Sequence, residues 1–195
     1  MKLANHLELA RDEYITYYRE KLTELKREHA TCVTELLVQP NGAQNPPPFS
    51  LIRLDAMCGA PSSPNPFRIA LQRRLTTQFI EVEHDGLKVQ FGFVSWECAT
   101  VSFEARRFAL SCLRDWWSKW LDDQEIRPID EFGFAGVAHS IAWNSSGGGL
   151  WEITVDFGSA PVACALEFFD ILLRQGITSC CFETNEKRPP EKPAL

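Results

Sequence analysis

Residues that could build a hydrolytic site lie close together in the second half of the chain. His139 and Ser140 are adjacent, and Asp156 lies further along. Together they supply a base, a nucleophile and a carboxylate that could orient the base. No nucleophile-elbow pattern surrounds the serine, however, and geometry rather than sequence defines such a site. A histidine at the centre of a predicted strand is more often structural, so His139 and Asp156 support only an alternative hypothesis: a small hydrolase or transferase with a cleft over the sheet.

Two short motifs resemble nucleotide-handling sequences. Asp156-Phe157-Gly158 is the tripeptide that holds magnesium in protein kinases, but no glycine-rich loop or catalytic loop accompanies it. Gly147-Gly148-Gly149 could cradle a phosphate only if it led into a helix, and it leads into a predicted strand. We therefore interpret the first motif as a strand end and the second as a hairpin loop.

The seven cysteines show no metal-binding or redox spacing. There is no C-x-x-C motif, and the neighbouring Cys180 and Cys181 would point to opposite faces of a strand. The odd number and the apolar surroundings predict reduced, mostly buried thiols in a reducing compartment. Met1–Ala10 lacks the apolar core of a signal peptide, and no apolar run is long enough to cross a membrane. We expect a cytoplasmic protein with no metal, no cofactor and no membrane contact.

Charge favours a basic partner over nucleic acid. The formal net charge is −6, whereas nucleic-acid binding needs a basic surface. The acidic residues are concentrated around 115–131, next to tryptophans, and aromatic anchors within a charged rim are typical of protein interfaces. The predicted partner-binding residues are Trp117, Asp122, Asp123, Glu125, Asp130 and Glu131.

A long amphipathic helix is predicted over residues 3–29. Its apolar residues recur at three- and four-residue spacing, and they include all three tyrosines of the chain. The tyrosine face suits a half-exposed seam against the body of the protein or against a partner, which leaves an adaptor role open. The pattern weakens after residue 29, and we assign residues 1–38 to an N-terminal helical segment.

The remaining elements predict an α/β domain of the α+β type. Proline-rich connections occupy residues 40–66, with a strand at 49–57 between two loops. Hairpins are predicted at 78–94, around the Asp85-Gly86 turn, and at 137–157. A helix is predicted at 105–121. A second helix runs to residue 175, with Ser159 as its N-cap and Gly176 as its stop. The hairpin–helix order occurs twice, so we expect a mostly antiparallel sheet with helices on one face. Residues 1–185 form one domain with its core sheet and helices at 77–183, and 186–195 form a mobile tail.

The second half also resembles small bacterial toxin-immunity proteins. The resemblance covers residues 113–176 and is carried by three segments: 115–123 (DWWSKWLDD), 136–140 (GVAHS) and 155–161 (VDFGSAP). It implies a non-enzymatic inhibitor that binds a cognate toxin, here a basic toxin domain, and blocks its active or substrate-binding surface. It implies no catalytic residue and no particular binding residue. This is our first functional hypothesis; the enzyme and the adaptor are the alternatives.

Overall fold

The computed structural model describes residues 2–43, 45–60, 62–71, 79–146 and 148–184. These residues form an α/β fold of three α-helices and two mostly antiparallel sheets, which confirms the predicted fold class. No helix in these ranges combines the length and the apolar character needed to span a membrane. The predicted tail at 186–195 lies outside the described ranges. So do Gln78, where the first predicted hairpin begins, and Gly147, in the loop of the second.

Helix α1 spans Leu3–Glu28 and docks on the body of the protein. Tyr14 and Tyr18 are fully buried, and their hydroxyls donate to the backbone carbonyls of Ile69 and Asp55 at 3.4 and 2.8 Å. The expected half-exposed seam is therefore wrong for these two tyrosines, because the apolar stripe of α1 closes over the core. The phenols of Tyr14 and Tyr18 serve the fold and are not available to an adaptor partner.

A three-stranded sheet follows α1 where the sequence suggested continued helix. Its strands, in spatial order, are β1 (Cys32–Val38), β2 (Ile52–Cys58) and β3 (Asn65–Phe67). The predicted helical segment is thus wrong beyond residue 28. The physical reason is the local run of Thr31, Val33 and Thr34, whose branched side chains favour extended backbone.

The main sheet has six strands in the order β4-β5-β9-β6-β8-β7. Both predicted hairpins are present, and β9 lies between β5 and β6, parallel to β5. Asp85 and Gly86 have φ values of 49° and 95°, as a tight two-residue hairpin turn requires. The strands are β4 (Ile80–His84), β5 (Leu87–Phe91), β6 (Ala99–Glu104), β7 (Ser140–Ser145), β8 (Leu150–Asp156) and β9 (Ser179–Glu183).

Helix α2 spans only Arg114–Leu121, so the predicted helix at 105–121 is too long. The amide of Ala105 donates to the carbonyl of Gly149, which continues the path of β6. Phe108 then packs against Phe103 and Trp151 and keeps the chain on the sheet until a short 3₁₀ turn leads into α2. Sheet contacts thus override the helical periodicity of this segment.

Helix α3 spans Val162–Arg174 and ends before Gly176, the predicted stop, which adopts a left-handed conformation. The predicted N-cap, Ser159, is wrong: Pro161 occupies that position. The hydroxyl of Ser159 instead accepts the backbone amide of Val137 at 3.1 Å, because the loop before α3 folds back on the strand connection.

Both tryptophans at the start of α2 are buried. The indole of Trp116 donates to the carbonyl of Cys164 on α3, and that of Trp117 donates to the carbonyl of Pro48. The phase of the predicted helix at 105–121 places Trp116 in the core and makes Trp117 the more exposed of the two. This is wrong, because Trp117 is 0% and Trp116 4% exposed. The connection that contains Pro48 covers the side of α2 that a simple one-sided helix would leave in solvent.

The cysteines are not all free. Antiparallel pairing of β1 and β2 places Cys32 opposite Cys58, and the two form a disulfide. The expectation of reduced thiols throughout is therefore wrong for this pair. Free thiols are present at Cys98, Cys112, Cys164, Cys180 and Cys181.

The disulfide predicts a defined thiol count. The unfolded, unreduced protein should react through the five free cysteines, and after reduction through all seven. A colorimetric thiol titration in denaturant measures both numbers. The double variant Cys32→Ser/Cys58→Ser is the control, because its count should not change on reduction. Seven thiols before reduction would contradict the pairing.

Candidate functional site

His139 stands where the two sheets meet. It directly precedes β7, and its backbone amide donates to the carbonyl of Asp156 on β8 at 2.8 Å. Its own carbonyl accepts the amide of Arg53 on β2, also at 2.8 Å. The backbone of a single residue therefore connects the small sheet to the large one.

The imidazole of His139 lies between two carboxylates. Its Nδ1 is 2.7 Å from Oδ1 of Asp55, and its Nε2 is 3.0 Å from Oε1 of Glu35. A carboxylate accepts hydrogen bonds, so the ring satisfies both partners only when both nitrogens carry protons. The side chain is 1% exposed, which makes His139 a buried imidazolium.

The carboxylates have further partners. The second oxygen of Asp55 accepts the amide of Ile69, and that of Glu35 accepts the amide of Ala135, each at 2.5 Å. Asp156 lies 4.0 Å from Nδ1 of His139. Its Oδ1 accepts the amide of Gly158 at 3.0 Å, and its Oδ2 is 3.7 Å from the guanidinium of Arg68. We call Glu35, Asp55, His139 and Asp156 the histidine cluster.

Burial and charge interactions shift the pKa values of two members of the cluster. Burial alone lowers the pKa of His139, but the hydrogen bonds that its ring donates to Asp55 and Glu35 and the charge of Asp156 outweigh it and raise the pKa to about 10. Burial raises the pKa of Asp156 to about 7; the charges of His139 and Arg68 oppose that rise, and Asp55 adds to it. The imidazolium is thus the stable form of His139 at neutral pH.

The cluster contains groups that can ligate metals, but their arrangement is that of an ion pair network. Asp55, His139 and Asp156 each offer one ligand atom, and these three atoms lie within 4.8 Å of one another. A histidine ligand must offer an unprotonated nitrogen to the metal. Here both ring nitrogens face carboxylates at hydrogen-bond distance. This arrangement disfavours metal ligation by His139. It also disfavours general-base catalysis, which needs a free lone pair on a ring nitrogen.

Access to the cluster is small. A crevice of about 60 Å³ reaches Asp55 and Asp156, and Arg68 and Ser140 also line it. Such a volume holds a few water molecules, whereas pockets for small organic ligands span roughly 300–1,000 Å³. The alternative enzyme hypothesis therefore names residues that do lie together, but the crevice that reaches them among the described residues is too small for an organic substrate.

Arg53 ties the cluster to the acidic segment after α2. It is buried, and its guanidinium donates to three backbone carbonyls: Glu35 at 2.6 Å, Leu121 at 2.7 Å and Asp122 at 2.6 Å. The last two carbonyls are at the C-terminus of α2, where a cation is favourable. Glu35 in turn holds the amide of Ala135. Both ends of the intervening segment, residues 122–134, which we call the acidic loop, are thus fixed from the core.

Side chains of the acidic loop also fix its own backbone. The carboxylate of Asp122 accepts the amides of Ile126 and Arg127, each at 3.1 Å. That of Asp130 accepts the amides of Phe132 and Phe134 at 2.8 and 2.9 Å.

Arg127 spans the base of the acidic loop. Its guanidinium donates to the carbonyls of Gly136 and Lys119 at 2.6 and 2.8 Å, and it stacks over the ring of Trp120. These bonds, together with those that the carboxylates of Asp122 and Asp130 accept from backbone amides, make the loop a fixed structure.

The structure separates the predicted binding residues into two groups. Trp117 and Asp122 are buried, so including them in a contact surface is wrong: one fills the core and the other caps α2. The other four lie on the acidic loop in half-buried or exposed positions, and their role in binding stays a prediction: Asp123, Glu125, Asp130 and Glu131.

Sequence reasoning missed Glu35 and Asp55 as partners of His139, and it missed two exposed isoleucines of the acidic loop. Arg53 and Asp55 lie inside an otherwise apolar predicted strand, and charges at such positions are a signal of buried ion pairs. Glu35 gave no such signal, because its segment was assigned to a helix. Ile126 and Ile129 are the most exposed large apolar side chains among the described residues, at 79% and 69%.

Comparisons with protein-family models, with curated proteins and with solved structures found no match to this chain.

Replacement of His139 should destabilise the protein strongly. His139→Gln removes the positive charge between Glu35 and Asp55 and leaves buried carboxylates without compensation, which costs about 3–5 kcal/mol. Urea unfolding followed by tryptophan fluorescence measures the loss. His84→Gln is the matched control: His84 pairs with the half-exposed Asp170, and losing such a pair costs about 1 kcal/mol or less.

Wild type and His139→Gln also test how the stability contributed by His139 depends on pH. The pKa of His139 is higher in the folded state, about 10, than its ordinary value of 6.5, so folding takes up protons between these values. The contribution of His139 is complete below pH 6.5 and is lost as the pH rises through about 10. The stability difference between wild type and His139→Gln should therefore shrink as the pH is raised. A difference that stays constant or grows would contradict a buried imidazolium.

Gly158 is required beside the imidazole. Its φ is +48°, and a β-carbon there would overlap the ring of His139. We expect Gly158→Ala to lower the free energy of unfolding by about 2–4 kcal/mol, from overpacking and from the left-handed backbone. Gly148→Ala is the control, because a β-carbon at Gly148 meets no atom within 4 Å. Equal stability of the two variants would contradict the close packing of the ring.

Proposed function

We propose that this chain is a non-enzymatic binding protein of the immunity type, which neutralises a cognate bacterial toxin by stoichiometric occlusion. The observation that carries the proposal is the acidic loop. It presents carboxylates and two isoleucines to solvent on a backbone that the core holds in place. Rigid loops lose little conformational freedom on binding, which favours tight association.

The histidine cluster supports a binding role over catalysis. His139 and Asp156 are the best acid–base pair that the sequence offered, and both are buried. The protons and lone pairs of His139 are committed to Glu35 and Asp55. These groups therefore serve the fold, and the chemistry that they could perform in a cleft is not available to a substrate.

The acidic character of the loop supports a basic partner. Residues 122–131 contain five carboxylates and one arginine, and that arginine is bound to backbone carbonyls at the base of the loop. Complementary charge speeds association and excludes wrong partners. The sequence resemblance of residues 113–176 to toxin-immunity proteins agrees with such a partner, a basic toxin domain.

The proposal predicts a stoichiometric inhibitory complex. A neighbouring gene should encode a toxin domain, and the purified chain should bind that domain in a one-to-one ratio and abolish its activity at equimolar concentration. Isothermal titration calorimetry gives the ratio, and an activity assay of the toxin domain gives the inhibition. Turnover of ester or phosphodiester substrates by the chain itself, abolished by Asp156→Asn, would contradict the proposal and favour the hydrolase.

A further inference from the structure

A second group of side chains that can ligate a metal lies where the β4–β5 turn meets α3. His84 ends β4, Asp85 begins the turn, and Asp170 lies on α3. Each offers one ligand atom, and the three atoms lie within 4.8 Å of one another. The sequence predicted no metal site here, because His84 and Asp170 are 86 residues apart and only the packing of the hairpin against the helix brings them together.

The spacing of the ligand atoms is close to that around a zinc ion. Nε2 of His84 is 3.1 Å from Oδ1 of Asp170. The ligands of a tetrahedral zinc ion, bound at about 2.0–2.2 Å, lie roughly 3.3–3.6 Å from one another. The ring of Phe169 contacts the imidazole at a centroid distance of 6.4 Å and holds it toward α3. Asp85 is exposed, so its carboxylate can rotate to complete the set.

His84 differs from His139 in the two properties that decide whether a histidine can bind a metal. Both nitrogens of His139 face carboxylates, whereas among the described contacts a carboxylate faces only Nε2 of His84. The ring can therefore keep its proton on Nδ1 and offer the lone pair of Nε2. The side chain of His84 is also 18% exposed, against 1% for His139, so an ion from solvent can reach it.

The charges of this group favour a divalent cation. Asp170 pairs only with His84, and no lysine or arginine of the described ranges pairs with Asp85 or Asp170. Two carboxylates thus share one histidine, and a doubly charged ion would neutralise both. Mg²⁺ and Ca²⁺ prefer shells made entirely of oxygen, whereas an imidazole nitrogen suits Zn²⁺.

We infer that His84, Asp85 and Asp170 form a zinc site. Nε2 of His84 and one oxygen of each aspartate bind the ion, and water completes its coordination. The proton that Nε2 shares with Asp170 is released to solvent when the ion binds. The bound ion ties the β4–β5 hairpin to α3. The site shares no residue with the acidic loop or with the histidine cluster, so its failure would leave the proposed function unaffected.

The experiment titrates Zn²⁺ alone into the purified chain. Proton–nitrogen correlation spectra of the histidine rings report which imidazole binds, and calorimetry gives the affinity. The ring signals of His84 should shift. His84→Gln and Asp170→Asn should each weaken binding about tenfold or more, since even the loss of a residue that only orients a ligand costs roughly 10–100-fold. Asp85→Asn should also weaken binding, and it keeps the turn because asparagine accepts the left-handed backbone of Asp85.

Matched controls separate the site from other metal-binding groups. His29→Gln removes a half-buried histidine at the end of α1, and Glu81→Gln removes an exposed carboxylate on β4; both variants should bind Zn²⁺ like wild type. Co²⁺ replaces Zn²⁺ in a parallel titration, because thiolate ligands such as the half-buried Cys98, Cys112 and Cys181 would add a sulfur-to-metal absorption band. That band should be absent. Mg²⁺ and Ca²⁺ at the concentration of Zn²⁺ should not displace it.

Each other outcome would overturn the site. Zn²⁺ that leaves the ring signals of His84 unchanged shows that this imidazole is not a ligand. Equal affinity of wild type, His84→Gln and Asp170→Asn would place the ion elsewhere in the chain. Displacement of Zn²⁺ by equal concentrations of Mg²⁺ or Ca²⁺ would reduce the site to charge attraction without a role for the imidazole. Thermal unfolding of the metal-free variants checks that each one is folded.

Discussion

The positive charge on His139 is the interaction on which the rest of this structure depends. Two carboxylates from different strands, Glu35 and Asp55, face one ring at 3.0 and 2.7 Å, and without a proton on each nitrogen they would be buried without compensation. The backbone of the same residue joins β2 to β8. His139 thus supplies both the buried positive charge and the backbone link between the two sheets. Gly158, which has no side chain, leaves the space that the ring occupies.

The influence of this centre extends to the surface. Glu35 uses one oxygen for His139 and the other for the amide of Ala135, while Arg53 holds the carbonyls that end α2. The acidic loop is therefore continuous with a hydrogen-bond network that begins in the core. Buried polar networks of this kind specify one arrangement when every member is satisfied, and here the arrangement that they specify includes the proposed contact surface.

Local patterns predicted much of the fold and little of the site. The stripe of α1, the Asp85-Gly86 hairpin and the stop of α3 at Gly176 follow from side chains close in sequence, so periodicity and turn chemistry were enough. The strand at 49–57 was predicted, but its pairing with β1 in a small sheet was missed because the register of β1 with β2 is a long-range feature. The prediction of the site failed for the same reason. His139 contacts partners that are 84 and 104 residues away in the sequence, and no local pattern indicates such contacts. Trp117 was misplaced because a distant connection, at Pro48, covers it.

In the acidic loop, the residues that shape the backbone differ from the residues that are most exposed. The bonds that shape the loop come from Asp122, Arg127 and Asp130, whereas the side chains of Ile126 and Ile129 project outward. Substitutions at the projecting positions leave those bonds intact, so they change the surface of the loop with little penalty to the fold. In the proposed role, variants of this chain would alter the contact surface at these few positions and would keep the residues that frame the loop.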